Sequence, residues 1–172
     1  MKTALIITGA LVQDHEFIYP FYRLKEAGFE VNVALPFNDP VLGILGTKIP
    51  SDINCDIVRY GNMPQDVDLI VLPGGAKCME KLRQEQVVLN FIKEQHEKGV
   101  LISSICHGAQ LLISAGIING KRISGYYSIK DDIANAGATY IDVPCVEDEN
   151  IITCPHYKYL GDWMKATLAK FD

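Results

Sequence analysis

The 172-residue chain has no run of lysine or arginine, no apolar stretch long enough to span a membrane and no C-x-x-C pair. Each absence excludes a class of function. With a formal net charge of −5 and its cations scattered, the chain lacks the basic footprint that binding to nucleic acid or an anionic membrane surface requires. The apolar runs stop well short of the roughly 20 residues of a transmembrane helix. Five cysteines, at positions 55, 78, 106, 145 and 154, are odd in number and wrongly spaced for a disulfide framework or a structural zinc site, and a reducing cytoplasm is the expected setting. The N-terminus MKTALIITGALVQDHE places one lysine before an apolar segment, yet no small-x-small cleavage site follows, so TALIIT is expected to be a first strand rather than a secretory signal. There is no repeat, low-complexity tract or linker. With 48% hydrophobic residues, residues 1–172 are expected to form one domain around a substantial core.

What is present is alternation. The runs TALIIT (3–8), VNVALP (31–36), LIVLPGG (69–75) and VLISSI (100–105) are short and rich in Ile and Val, and they lack the polar alternation of a one-sided sheet. That is the pattern of parallel strands buried on both faces. Between them, residues 17–29 and 86–99 carry helical periodicity and close on Gly28 and Gly99. The order predicts an α/β, doubly wound, mostly parallel sheet between layers of helices. Residues 41–60, punctuated by Gly and Pro, are expected to form a short antiparallel excursion. Residues 138–154 are expected to form a β pair turning at EDEN, and 157–171 an amphipathic closing helix.

In an open α/β sheet, ligands sit beyond the carboxyl ends of the strands, and two such ends here read LPGG and ICHG. A cysteine in apolar surroundings is usually a small core residue. Cys106, however, has a strand before it, His107 beside it and Gly108 after it, which is the pattern of a nucleophile projected from a sharp strand-to-helix turn. A helix starting near Gly108 would favour the thiolate, and the Gly74–Gly75 pair could offer N–H groups to a developing oxyanion. Cys154 and His156 would be too few ligands for a metal site. The EDEN tip, with Asp131 and Asp132, lacks calcium-loop spacing. No metal or cofactor is expected.

The motifs HEFIYPFYRLKEAGFEV, VDLIVLPGG, LISSICHGAQLLISAG and GYYSIKDDIANAGATYID together resemble the ThiJ/PfpI superfamily over nearly the whole chain, residues 40–66 least. The resemblance implies a flavodoxin-like sandwich of the class I glutamine amidotransferase type, with Cys106 as the reactive cysteine. Glu16 is implied to hydrogen-bond to its sulfur as the protonated acid. His107 places the chain nearer the PfpI-type branch. Gly75 and the His107 amide are implied as oxyanion donors, and Tyr126 as an aromatic lining residue. Three departures weigh against proteolysis: Gln13 where many members carry an acid, Met79 (with Glu80 beside it) where an acid would orient the histidine, and TCPH (153–156) where an arginine motif is usual.

These residues support a cofactor-independent enzyme of the glyoxalase III or deglycase type, acting on a small α-oxoaldehyde or a glycated substrate through the Cys106 thiolate. Two alternatives share that thiolate: a cysteine peptidase or amidase, and a redox sensor or stress chaperone in which Cys106 is oxidised. A histidine without an evident acid in its own chain, together with the resemblance, leads us to expect a homo-oligomer, at least a dimer. Nucleic acid and membrane are not expected partners.

Overall fold

A computed structural model of the chain describes residues 1–50 and 55–172. Its centre is a seven-stranded sheet built from β1 (Thr3–Ile7), β2 (Glu30–Leu35), β5 (Asp56–Arg59), β6 (Leu69–Leu72), β7 (Leu101–Ile105), β10 (Val146–Asp148) and β11 (Ile151–Cys154), in the order β10-β11-β7-β6-β1-β2-β5. Every pairing is parallel except the β10–β11 hairpin. Ala4 to Ile7 and Leu69 to Leu72 have no exposed surface, as expected of strands covered on both faces. The helices covering them are α1 (Asp14–Glu26), α2 (Ala76–Leu82), α3 (Gln86–Glu97), α4 (Ala109–Ser114), α5 (Lys130–Asn135) and α6 (Leu160–Leu168). The result is the doubly wound α/β layering that the strand-helix alternation predicts, and the flavodoxin-like sandwich that the resemblance implies. No helix among the described residues is long and apolar enough to cross a membrane.

Three boundaries differ from expectation. Helix α1 begins at Asp14, ahead of residue 17, and includes Pro20 in its interior. Residues 41–60 are antiparallel only in β3 (Val41–Leu42) and β4 (Lys48–Ile49); residues 51–54 of that stretch lie outside the described residues. Strand β5, read as part of the excursion, instead runs parallel to β2 at the sheet edge. Its DIVR sequence is only half-buried, so it lacks the apolar run that marks a central strand. Finally, the EDEN hairpin is confined to β10 and β11, while β9 (Thr139–Tyr140) pairs in parallel with β8 (Arg122–Ile123) in a separate two-stranded ribbon. The closing helix is framed by 3₁₀ turns at Tyr157–Tyr159 and Ala169–Phe171.

The strand order positions the site. Strands β7, β6 and β1 are neighbours, so the chain leaving each one arrives at the same stretch of the sheet's carboxyl edge. The residues delivered there are Cys106, Gly74–Gly75 and the head of α1.

Candidate active site

Strand β7 ends at Ile105, and the chain turns at once into a 3₁₀ turn, Cys106–Gly108, that leads into α4. Cys106 sits at φ +59°, a left-handed conformation that costs a non-glycine residue about 1–3 kcal/mol and persists only where its surroundings enforce it. The enforcement is visible next door. A Cβ on Gly108 would lie 2.4 Å from the Leu72 carbonyl oxygen, so only glycine lets the turn pass so close to the end of β6. A Cβ on Gly74 would lie 2.5 Å from Glu16 Oε2 and 2.9 Å from the Cys106 Cβ. Gly74 is thus glycine because the Cys106 side chain and the Glu16 carboxyl occupy the space.

Glu16, in the first turn of α1, is fully buried. Its Oε2 accepts the Gly74 N–H at 2.7 Å, while Oε1 has no partner that meets hydrogen-bond geometry. The carboxyl's remaining interaction is with the Cys106 sulfur. Burial raises the Glu16 carboxyl to about 8, against the smaller opposing effects of the Cys106 and Gly74 hydrogen bonds. A neutral carboxylic acid can accept the Gly74 N–H through Oε2 and still offer a proton to the Cys106 sulfur.

The Gly74 N–H is therefore committed to Glu16. Of the glycine pair read as oxyanion donors, only Gly75 is free for that role. Gly75, at φ +107°, aims its N–H at the Cys106 sulfur, as does His107. These two amides pull the thiol down, but burial, and then Glu16 when charged, push it up more strongly. The simple expectation of a helix-depressed cysteine thus needs amendment: α4 is only six residues long and the thiol is 7% exposed. A thiolate is opposed least when Glu16 holds the proton, because the upward push of the carboxylate is then absent and only burial still raises the thiol strongly.

His107 Nδ1 lies 3.4 Å from Cys106 Sγ. Burial lowers the imidazole below its usual value, so it is neutral near pH 7. Among the described residues no carboxylate pairs with it: Met79 is fully buried in α2, and Glu80 is exposed. The ring instead stacks on Tyr126 at 4.8 Å between centroids, and the Tyr126 N–H donates to the Cys106 carbonyl.

The stack continues beyond what the sequence suggested. Tyr126 stacks at 6.0 Å on His156, which lies 4.1 Å from Tyr157, which stacks at 5.2 Å on His15. Three of the four histidines thus join one aromatic ladder leading away from the sulfur. Its members come from four separate segments, so no local motif announces it. His156, weighed above as half of a metal pair, accepts the Lys158 N–H through Nδ1, and the buried Cys154 thiol faces the His156 and Tyr159 carbonyls.

The model of the DJ-1/PfpI family matches residues 2–170. The chain belongs to the DJ-1/PfpI family. Deglycase PH1704 of Pyrococcus horikoshii is 35% identical over 161 residues, 94% of either chain. Among solved structures, a two-domain protein of Anabaena variabilis with DJ-1/ThiJ/PfpI-like and ferritin-like domains superposes with a TM-score of 0.91 at 33% identity, covering 99% of this chain and 48% of that one. DJ-1beta of Drosophila melanogaster superposes with a TM-score of 0.88 at 26% identity, covering 98% of this chain and 89% of that one.

Proposed function

We propose that the protein is a cofactor-independent, cysteine-dependent enzyme acting on reactive α-oxoaldehydes and on the early adducts they form with amines. The observation that carries this reading is the convergence on one sulfur of a neutral buried carboxyl (Glu16) and two backbone donors (Gly75 and His107). Such a site can form and hold an oxyanion and exchange one proton with it. The deglycase name borne by the Pyrococcus relative supports the same reading.

For methylglyoxal, the Cys106 thiolate adds to the aldehyde carbon, and the carbonyl π electrons move to oxygen. The resulting alkoxide is held by the Gly75 and His107 N–H groups and takes the Glu16 proton, giving a hemithioacetal. Glu16, now a carboxylate, removes the hydrogen of the former aldehyde carbon as a proton, forming an enediolate. Reprotonation at the neighbouring carbon gives a thioester, which water cleaves to lactate and the free thiol. The neutral His107 ring, beside the sulfur, is suited to activating that water. With an early amine adduct, a hemiaminal, the thiolate would form its C–S bond at the same carbon as the C–N bond breaks, the amine leaving with the Glu16 proton and the same hemithioacetal remaining. The absence of an acid behind His107 among the described residues argues against peptidase chemistry, in which the histidine must carry positive charge.

The test is consumption of methylglyoxal and appearance of lactate without glutathione or added metal. Wild-type protein should do both, and Cys106→Ser neither. Failure of fresh, reduced wild type to form lactate, with clean peroxide conversion of Cys106 to sulfinate, would overturn the enzyme in favour of a redox sensor. Self-association belongs to the same proposal: light scattering should give at least a dimer, whereas a monomer would remove any acid supplied to His107 across an interface.

A further inference from the structure

Asp14 is a buried carboxylate that the chemistry above does not use. It is 2% exposed and lies two residues before Glu16 at the head of α1, yet its oxygens turn across to the β3–β4 hairpin. Oδ2 accepts the Leu45 N–H at 2.8 Å, and Oδ1 accepts the Thr47 N–H at 3.0 Å. The approach is tight enough that a Cβ on Gly43 would lie 2.4 Å from Oδ1. Burial pushes the Asp14 carboxyl up, but the backbone N–H groups and the Thr47 hydroxyl outweigh it and hold it below its usual value. It stays charged wherever the protein is folded near neutrality.

The hairpin so gripped has its own grip on the loop behind the oxyanion donors. Leu11 N–H donates to the Leu42 carbonyl at 2.8 Å, and Ile44 N–H to the Val12 carbonyl at 3.0 Å. Leu11 is held at φ +64°, a conformation a leucine keeps only when its neighbours impose it. That loop is the wall against which the glycine pair rests. Gln13 N–H donates to the Gly74 carbonyl at 3.2 Å. A Cβ on Gly75 would lie 2.8 Å from both the Leu11 oxygen and the Gln13 nitrogen.

We propose that Asp14 is a positioning residue for the oxyanion-binding face: it ties the β3–β4 turn to the head of α1, and the turn presses Leu11–Gln13 against Gly74–Gly75 so that the Gly75 N–H points at Cys106. The inference rests on the reading of Gly75 as an oxyanion donor. It does not depend on which carbonyl compound is the substrate.

The test compares two reactions at the Cys106 peptide of the intact protein. Alkylation by iodoacetamide displaces iodide at a saturated carbon and makes no oxyanion. Acylation by p-nitrophenyl acetate forms the C–S bond through a tetrahedral oxyanion and then breaks the C–O bond to release p-nitrophenolate. Asp14→Asn keeps one acceptor oxygen but sets an NH₂ group against a backbone donor. It should lower the acylation-to-alkylation ratio by about tenfold or more, within the range that loss of an oxyanion donor produces, while Asp14→Glu recovers part of the loss. Gly43→Ala leaves the carboxylate in place, pushes it out of its seat and should lower the same ratio, which covers the case in which Asp14→Asn does not fold. A ratio unchanged in the folded variants, or both rates falling together, overturns the proposal. Wild type that fails to make lactate defeats the proposed function, and the ratio still decides the role of Asp14.

Discussion

Cys106 and Cys78 are both buried thiols at the carboxyl edge of the same sheet, and their surroundings differ in nearly everything but burial. Cys78 is 2% exposed on α2, with its sulfur 4.0 Å from the Thr8 hydroxyl. Burial pushes it up to about 11, against weaker effects of Thr8, Gly9 and Lys81. It lines a cavity of about 290 Å³ shared with Phe37 and Tyr60, so it is not short of space for a reagent. Cys106 is no more exposed in any useful sense, and burial pushes its thiol up as well. Only Cys106, however, has a carboxyl whose proton can be exchanged for its own, two amides aimed at it and a backbone bent to present it. Burial makes both thiols poor acids; in the proposed mechanism the exchangeable proton makes Cys106 the nucleophile.

The largest effect follows from removing the Cys106 sulfur. Cys106→Ser should lower methylglyoxal turnover by ~1,000-fold or more, because an alkoxide is far harder to form than a thiolate and no strong base is present. Cys78→Ser should leave turnover within about twofold, since no step involves it. Comparable losses in both variants, measured as lactate formed per enzyme, would dissolve the distinction between the two thiols.

Glu16→Gln should cost about 100-fold or more, the range of a lost acid-base group, and it also changes two pH dependences. The Glu16 carboxyl is raised in the folded state to about 8, above its unfolded value, so the folded protein binds that proton more tightly. The associated stability is fully present below the unfolded value near 4.5 and is lost as pH rises through about 8. Wild-type melting temperature should therefore fall between about pH 5 and about pH 8.5, and Glu16→Gln should remove that part of the slope. Iodoacetamide labelling sharpens the point. Cys106 should label before the other four cysteines in wild type. At about pH 9 it should label faster in Glu16→Gln than in wild type, because glutamine lacks the carboxylate that opposes the thiolate. Equal rates there would mean that the carboxyl and the thiol do not share a proton.

The contrast between the two cysteines also explains what could be read from the sequence. The central strands were plain because burial on both faces leaves a continuous apolar run, as in LIVL of β6. Edge strand β5 was not, because Asp56 and Arg59 face solvent and break that run. Cys106 was legible because the elbow is local: strand, Cys, His and Gly are consecutive. Its pairing with Glu16 reached the sequence reading only through family resemblance. Ninety positions separate the two, and what joins them is the order β7-β6-β1, a property of the whole sheet. Asp14 was hidden for the same reason: in QDHE it looked like part of a charged segment ending the first apolar run, and its partners lie 31 and 33 residues away. The aromatic ladder needs four separate segments to meet before it exists at all.

The smallest expected effect concerns that ladder and asks how much of the difference between the thiols lies outside the sulfur's immediate contacts. Tyr126 touches the site in two ways. Its ring stacks on His107, and its backbone N–H donates to the Cys106 carbonyl at 3.2 Å. The backbone contact survives any substitution except proline, so side-chain variants isolate the ring. Tyr126→Phe keeps the stacked face and loses only the hydroxyl, and turnover should stay within about twofold. Tyr126→Ala removes the ring against which the imidazole lies. A stacked pair contributes about 0.5–1.5 kcal/mol beyond its buried area, so turnover should fall by roughly 2- to 10-fold. The loss should appear in kcat rather than in the rate of Cys106 alkylation, because the ring orients His107 and leaves the Glu16 proton and the Gly75 and His107 amides untouched. An equal fall in alkylation would show that the ladder supports the elbow itself, and the advantage of Cys106 over Cys78 would then extend to the aromatic wall.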